Sequence, residues 1–437
     1  MKKILSTLLI VLITTQLFSQ ELNKEEKKMK WFEDAKLGIF IHWGIYAVNG
    51  IDESWSFYNG YISHDDYMKQ LKGFNATNYN PAEWAQLIKE SGAKYAVLTT
   101  KHHDGVALWD TKCGNMDVVE KSPAGKDLVL PFVKELRKND VKVGLYYSLL
   151  DWSHPDYPNK TRIEKRYEND SVKWSRFVDF NFCQLNELSQ QFNPDLFWFD
   201  GDWEQSAEQW KAKELSEMLR NRNKNVILNS RIQGYGDYAT PEQGLPIARP
   251  DSRYWELCMT MNDSWGFQHN DKNYKTPNQV INILVDCINK GGNLLLDMGP
   301  KEDGTIPEEQ IHVLKELGAW NKKNGEAVFN TIGGIPQGHF YGPTTLSKDS
   351  TTLYLFMHGQ TSGQIMLKGL DNKIQEITVV GNGTNLKHKV VGKISWSHVP
   401  GLVYIDVPPI VLDQYVTVLK LKLDKPVKLY RGQGGFN

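Results

Sequence analysis

Residues 195–203 read DLFWFDGDW, and the fold class can be inferred outward from this stretch. Its first part is a continuous apolar run of strand length, which is typical of a β-strand buried on both faces. A helical pattern of apolar residues precedes it at 174–192, and another follows at 207–223. A buried strand between two amphipathic helices is the repeating unit of an α/β protein with a parallel sheet.

The same unit recurs from Trp31 to about Asn324. The other strand runs are GIFIHW (38–43), KYAVLT (94–99), KVGLYYSL (142–149), VILNS (226–230), YWELCM (254–259) and NLLLDMG (293–299). Further helical patterns lie at 81–92, 126–140, 277–292 and 307–325. Seven strands alternating with helices favour a (β/α)8-like TIM barrel over an open doubly wound sheet. No GxGxxG follows the first strand and no P-loop is present, which disfavours a nucleotide-binding fold.

After about Gly333 the pattern changes to short strands separated by Gly, Asn and Pro. The clearest of them, YVTVLKLKL (415–423), alternates apolar and polar residues as a strand with one buried face does. This part therefore predicts an all-β C-terminal sandwich. The expected organisation is a signal peptide at 1–20, a barrel domain at 21–333 and a sandwich domain at 334–437.

The N-terminus has the pattern of a secretory signal peptide. Lys2 and Lys3 precede an apolar stretch at 4–18, and the polar residues Ser19 and Gln20 end it. Such a segment is cleaved on export and is too short to span a bilayer comfortably. We expect an exported protein, periplasmic or secreted, whose mature chain has no membrane span; an uncleaved anchor is the alternative.

The four cysteines give no metal or disulfide pattern. Cys113, Cys183, Cys258 and Cys287 lie far apart and lack CxxC spacing. Although export permits disulfides, we expect four free or partly buried thiols and no zinc site made of cysteine.

The composition narrows the class of ligand. The 51 Lys and Arg residues balance 52 Asp and Glu residues, whereas a nucleic-acid-binding protein usually has a basic surplus. The chain also carries 14 Trp and 19 Tyr. Aromatic rings stack on the C–H faces of sugars, although most Trp residues in a large domain belong to the core.

The active site of such a barrel gathers at the carboxyl ends of its strands. Polar and aromatic side chains close each run here, and the candidates are His42, His102, His103, Tyr147, Trp198, Asp200, Arg231 and Glu256. Imidazoles, carboxylates, a guanidinium and indoles at one mouth suit the hydroxyl groups and ring faces of a sugar.

Asp200 is the predicted nucleophile. It ends a buried strand, and Gly201 allows the chain to turn away sharply, although DG is also a common turn dipeptide. Glycoside hydrolysis needs a second carboxyl group, and Glu242 in a loop and Glu256 in a strand are the two candidates. The residue types alone do not rank these two strongly.

The pair His102 and His103 also permits a metal interpretation, because clustered histidines bind zinc in many barrels. Neighbouring strand residues point to opposite faces, however, so two adjacent histidines rarely bind one ion. We expect sugar contacts here rather than a metal site.

Six motifs, in this order, resemble the α-L-fucosidases of glycoside hydrolase family 29. They are WFEDAKLGIFIHWGIYAV, TTKHHDGVALWDT, GLYYSLLDW, DLFWFDGDW, NSR and YWELCMTMNDSWGF, and they span roughly residues 28–330. The resemblance implies a retaining enzyme that releases terminal α-linked L-fucose from glycans, with a barrel, a C-terminal sandwich and no metal or organic cofactor. The SWGF ending is similar to the branch that accepts simple aryl fucosides.

The resemblance also implies roles for individual residues. Asp200 matches the nucleophile, Glu242 matches the acid/base of several members, and Glu256 is its rival. Residues that match the fucose pocket are His42, His102, His103, Tyr147, Trp198, Arg231 and Trp265. Relatives add a Glu-Trp pair after the first strand; here Ser54 separates Glu53 from Trp55, and either of these two is a candidate for sugar contact. A catalytically silent fucose-binding protein and a metal-dependent hydrolase using His102 and His103 remain the alternatives.

Overall fold

The computed structural model describes residues 24–114, 116–359, 362–394, 396 and 398–432. The predicted signal peptide at 1–20 lies outside the described residues. Among the helices of the described part, none has both the length and the apolar character needed to cross a bilayer.

Seven parallel strands form one sheet in the N-terminal part. They are β1 (Leu37–Ile41), β2 (Tyr95–Lys101), β3 (Lys142–Ser148), β4 (Leu196–Asp200), β5 (Ile227–Leu228), β6 (Glu256–Thr260) and β7 (Asn293–Met298). Their spatial order is β5-β4-β3-β2-β1-β7-β6, so β2 lies in the middle and β5 and β6 form the two edges. All residues of β4 are buried, as the continuous apolar run predicts.

Helices precede, separate and follow these strands along the chain. They are α1 (24–35), α2 (Trp55–Tyr58), α3 (His64–Met68), α4 (Pro81–Glu90), α5 (Val118–Lys121), α6 (Val129–Lys138), α7 (Ser171–Phe192), α8 (Ala207–Trp210), α9 (Ala212–Arg222), α10 (Pro277–Asn289) and α11 (Glu308–Val328). Short 3₁₀ turns lie at Ile45–Ala47, Lys69–Lys72, Asp202–Glu204 and Pro409–Val411. The pattern at 207–223 forms two helices because Lys211 takes a left-handed backbone conformation, with φ 50°, which ends the first of them.

Strand β5 is short because the side chain of Asn229, directly after it, forms the hydrogen bonds to β4 that a backbone group would otherwise form. The Asn229 amide accepts a hydrogen bond from Phe199 N at 2.8 Å and donates one to Phe199 O at 2.9 Å. The chain is thereby released from the ladder directly after Leu228, and the VILNS run contributes only two regular strand residues.

An irregular segment, 238–242, occupies the gap between β5 and β6. Its parallel bridges are Asn229 to Tyr238, Ala239 to Trp255 and Glu242 to Cys258. The segment therefore stands where an eighth strand closes a (β/α)8 barrel, and Glu242 lies at its end. The barrel prediction is confirmed with seven regular strands and one irregular connection.

Two antiparallel sheets form the C-terminal part. Their strands are β8 (Thr331–Gly333), β9 (Thr344–Ser347), β10 (Thr352–His358), β11 (Gly363–Lys368), β12 (Ile374–Val379), β13 (His388–Val391), β14 (Leu402–Val407) and β15 (Val416–Leu423). The sheet orders are β12-β15-β10-β9-β8 and β11-β14-β13, and most of their apolar residues form a second core. Tyr354, Phe356, Val416 and Val418 pack into the core of the N-terminal part instead. Strand β8 already pairs with β9, so the change of architecture follows α11 and precedes residue 334.

Two of the four cysteines form a disulfide bond, which corrects the expectation of four free thiols. Cys113 and Cys183 are joined with their Cα atoms 5.8 Å apart. The bond links the segment after β2 to α7, across 70 residues of sequence. Cys258 and Cys287 are free and buried.

Candidate active site

Asp200 lies at the carboxyl end of β4, where the chain turns away at Gly201 with φ +79°. A side chain at 201 would be strained by this φ, and its Cβ would lie 2.6 Å from Leu150. The Asp200 carboxylate accepts hydrogen bonds from Arg231 Nη1 and from Tyr146 Oη, each at 3.0 Å. Asp200 is thus held by neighbouring barrel strands, and it is not a turn cap.

Arg231 joins the two predicted catalytic carboxylates. Its Nη1 contacts Asp200 Oδ1 at 3.0 Å, and its Nη2 contacts Glu242 Oε2 at 2.6 Å. The guanidinium carbon lies 4.6 Å from the centre of the Trp198 ring, which supports it from one side. Residues from β4, the end of β5 and the irregular segment therefore meet at a single guanidinium.

Three buried histidines stand beside these carboxylates at the ends of β1 and β2. The Nδ1 atoms make three contacts: His42 to Asp297 at 2.7 Å, His102 to Ser54 at 2.7 Å and His103 to Ser148 at 2.6 Å. Burial lowers the pKa of each imidazole, to about 3 for His103. All three are therefore neutral near pH 7, where each ring has one donor and one acceptor nitrogen.

The structure places Tyr147 outside this site, contrary to the expectation. Its hydroxyl contacts Asn181 and Gln184 on α7, at 2.8 and 2.9 Å, and Lys101 Nζ at 2.9 Å. The tyrosine that reaches Asp200 is Tyr146. Adjacent strand residues face opposite sides of a sheet, so the choice between them depends on the register of β3 against β4.

That register pairs Tyr146 with Trp198 and Ser148 with Asp200. Paired residues of parallel strands share a face, which puts all four side chains inside the barrel. Sequence reasoning missed Tyr146 and Ser148. Alternation from Trp198 and Asp200, combined with this register, is the signal that would have found both.

Indole rings line the rim. Trp55 packs edge-on against His103, with ring centres 5.7 Å apart, and lies nearly parallel to Trp203 at 6.1 Å. Trp203, three residues after Asp200, is 49% exposed. Trp265 is half-buried, and its ring centre lies 4.9 Å from that of His42.

Glu53 acts on a backbone group. Its Oε1 accepts a hydrogen bond from Gly266 N at 2.5 Å, and burial raises its pKa to about 7. Gly266 follows Trp265, so the Glu53 carboxyl group holds the segment that carries this indole.

Glu256 lies one layer deeper than Asp200. It begins β6, at the amino end of the strand, and its side chain is fully buried. One oxygen accepts a hydrogen bond from Trp198 Nε1 at 3.0 Å, and the other accepts one from the Tyr95 hydroxyl. Because Trp198 separates it from Arg231, Glu256 is not brought together with Asp200, whereas Glu242 is.

A metal would need several converging ligands. Within the described part of the chain, no three His, Cys, Asp or Glu side chains are grouped as an ion site. His102 and His103 direct their Nδ1 atoms to two different serines. The arrangement offers the Asp200 carboxylate, a second carboxyl group at the rim, and several hydrogen-bonding groups for a polyhydroxylated ligand.

Comparisons with known proteins agree with this chemistry. A family model described as alpha-L-fucosidase matches residues 13–326. The chain is 32% identical over 368 residues to an alpha-L-fucosidase of Branchiostoma floridae, covering 77% of this chain and 80% of that protein. It is 31% identical over 392 residues to the plasma alpha-L-fucosidase of Homo sapiens, covering 82% of each.

Solved structures show the same relationship. Alpha-L-fucosidase isoenzyme 1 from Paenibacillus thiaminolyticus superposes with a TM-score of 0.83 at 33% identity, over 92% of this chain and 100% of that chain. A GH29 alpha-L-fucosidase from Bacteroides thetaiotaomicron, solved as a trapped covalent intermediate, gives a TM-score of 0.80 at 28% identity, over 91% and 96%. This chain belongs to the α-L-fucosidases of glycoside hydrolase family 29 and is a glycoside hydrolase.

Proposed function

We propose that the chain is a retaining, exo-acting α-L-fucosidase in which Asp200 is the nucleophile and Glu242 is the acid/base. The observation that carries this assignment is the guanidinium of Arg231, which contacts both carboxylates. Two carboxyl groups that share one guanidinium lie close together. Retaining glycosidases require this proximity, with their two carboxyl groups about 5–5.5 Å apart.

In the first step Asp200 attacks the anomeric carbon of L-fucose. Protonated Glu242 donates its proton to the departing oxygen, so that the aglycone leaves as a neutral alcohol. The transition state has oxocarbenium character, and a covalent fucosyl-enzyme forms with inverted configuration. Arg231 and Tyr146 donate hydrogen bonds to Asp200, which hold its carboxylate in a fixed orientation before attack.

In the second step Glu242, now a carboxylate, takes a proton from water. The water attacks the anomeric carbon and releases Asp200, and this second inversion restores the original configuration. Glu242 is the more exposed of the two carboxylates, with 39% of its side chain accessible against 12% for Asp200. Contact with both water and the leaving group requires this exposure.

The buried end of the site supports exo action. His42, His102 and His103 are nearly inaccessible, which supports a site closed at this end that binds a substrate by its terminal sugar. The neutral imidazoles hydrogen-bond its hydroxyl groups, and Trp265 provides an apolar surface for the methyl group of a 6-deoxy sugar. A terminal fucose on a glycan is the substrate that this shape accepts.

The apolar N-terminal segment supports a periplasmic or secreted location for the protein.

Azide rescue tests the two roles directly. Asp200→Gly should lose hydrolysis of 4-nitrophenyl α-L-fucoside, and azide should restore turnover with β-fucosyl azide as the product. Glu242→Ala should also be rescued, but with α-fucosyl azide, because azide then attacks the intermediate.

Glu256→Ala is the matched control in this series. It is expected to yield no azide adduct, because its carboxyl group is buried beneath Trp198. An α-azide from Glu256→Ala and none from Glu242→Ala would reverse the acid/base assignment. Absence of nitrophenol release by the wild type would favour a silent fucose-binding protein.

A further inference from the structure

Ser148 fixes the proton of His103 by a chain of hydrogen bonds with only one possible direction. The Ser148 hydroxyl lies 2.7 Å from the carbonyl oxygen of Leu150, which can only accept. The single hydroxyl proton of Ser148 is therefore used in this bond. His103 Nδ1, 2.6 Å from the same hydroxyl oxygen, must then be the donor.

The other ring nitrogen of His103 is consequently a bare acceptor. Burial lowers the pKa of His103 to about 3, so the ring is neutral and carries its one proton on Nδ1. Nε2 has no hydrogen-bond partner among the described residues, and it lies 3.5 Å from Asp200 Oδ2. A buried acceptor without a donor is destabilising, because it has lost its hydrogen bond to water and gained none in return.

Two acceptors that face each other require a donor from outside the protein. The Asp200 carboxylate keeps 12% of its side chain accessible, so a hydroxyl group that approaches it from the cavity arrives beside His103 Nε2. Trp203, half exposed and edge-on to the His103 ring at 5.7 Å, lies at the rim beside this position.

The chemistry of the substrate identifies this hydroxyl. Asp200 attacks C1 in the proposed function, on which this step rests. The sugar hydroxyl nearest to C1 is that on C2, since the ring oxygen carries no proton. Hydrogen bonds to the 2-hydroxyl group strengthen as the oxocarbenium ion develops in glycosidases.

We propose that Ser148 is a positioning residue that keeps His103 Nε2 unprotonated, so that this nitrogen accepts the 2-hydroxyl proton of the substrate. Without Ser148, the proton of His103 is free to move to Nε2. There it would donate to Asp200, and the acceptor for the sugar would be lost.

The test compares two substrates in wild type and Ser148→Ala. They are the 4-nitrophenyl α-glycosides of L-fucose and of 2-deoxy-L-fucose, which differ only in the 2-hydroxyl group. The measured quantity is the ratio of their kcat/KM values. We expect Ser148→Ala to lower the preference for the fucoside by about 10-fold, the equivalent of one hydrogen bond of about 1.4 kcal/mol.

The double variant Ser148→Ala, His103→Phe should lower this preference no further than His103→Phe alone, because both changes remove the same acceptor. Ser216→Ala is the matched control. Its buried hydroxyl also donates to a backbone carbonyl, that of Lys213 at 2.8 Å, but it lies in α9 away from the site. It should leave the ratio within about twofold of wild type.

Equal losses on both substrates in Ser148→Ala would show a merely structural role and overturn the proposal. A His103→Phe variant that keeps the wild-type ratio would also overturn it. Neither result affects the assignment of Asp200 and Glu242. That assignment fails separately, if the wild type hydrolyses neither glycoside or azide rescue is absent.

Discussion

Replacement of Glu256 by Gln is expected to stabilise the protein at alkaline pH without abolishing catalysis. The Glu256 carboxyl group is fully buried between Trp198 and Tyr95, and burial raises its pKa from 4.5 to about 7. Glutamine is nearly isosteric and never ionises. Its carbonyl oxygen accepts the proton of Trp198 Nε1, and its amide donates to the Tyr95 hydroxyl, which can rotate its own proton away.

The magnitude follows from the two pKa values. The folded state holds the Glu256 proton more tightly than the unfolded state. The stability contributed by this group is therefore present in full below pH 4.5 and is lost as the pH rises through about 7. A shift from 4.5 to about 7 corresponds to about 3 kcal/mol. The free energy of unfolding of Glu256→Gln minus that of wild type should therefore increase by about this amount when the pH is raised from about 5 to about 8.5.

Urea unfolding at these two pH values measures the gain, and steady-state kinetics near neutral pH accompany it. The matched control is Glu168→Gln, because the side chain of Glu168 is 73% exposed. The difference in free energy of unfolding between Glu168→Gln and wild type should be the same at both pH values. Other buried acids titrate equally in all three proteins, so they cancel in the difference.

A difference between Glu256→Gln and wild type that stays constant with pH would refute the burial argument. Loss of a general acid slows a glycosidase by a factor on the order of 1,000. A loss of catalytic efficiency of that size in Glu256→Gln would instead show that Glu256 takes part in proton transfer.

Three further outcomes are expected. Tyr146→Phe removes a hydrogen bond to Asp200 and should lower kcat/KM by about 10-fold. Tyr147→Phe should mainly lower the free energy of unfolding, by about 1 kcal/mol. Equal kinetic losses in the two variants would contradict the assigned faces of β3. Loss of the disulfide in Cys113→Ser, Cys183→Ser should cost about 2–5 kcal/mol by denaturant titration, and alkylation of Cys113 and Cys183 in the unreduced wild type would show that the bond is absent. Exhaustive chelation should leave nitrophenol release unchanged, while a loss that zinc restores would support the metal-dependent alternative.

Much of the fold could be predicted from the sequence because it depends on local patterns of apolar residues. Continuous apolar runs such as 195–200 mark strands buried on both faces, and helical periodicity marks the segments between them. The position of Asp200 at a strand end follows from the same pattern. The six motifs then indicated the family, which the relatives and solved structures confirm.

Other features depend on contacts between distant parts of the chain. Whether Tyr146 or Tyr147 faces the cavity depends on the register of β3 against β4, because a shift of one residue exchanges the two faces. The disulfide between Cys113 and Cys183 requires proximity across 70 residues, which spacing cannot reveal. Neither outcome is encoded in a local pattern.

The two candidate acid residues, Glu242 and Glu256, also show the difference between local sequence patterns and long-range contacts. The residue types made Glu242 and Glu256 comparable, since each is a carboxyl group near a barrel strand. Closure of the barrel by 238–242 brings Glu242 to Arg231, and the start of β6 puts Glu256 beneath Trp198. Which segments become strands is predictable from the sequence, because burial patterns are local. Which of the two glutamates shares Arg231 with Asp200 depends on the folded barrel, because the depth of a side chain depends on how all the strands are aligned.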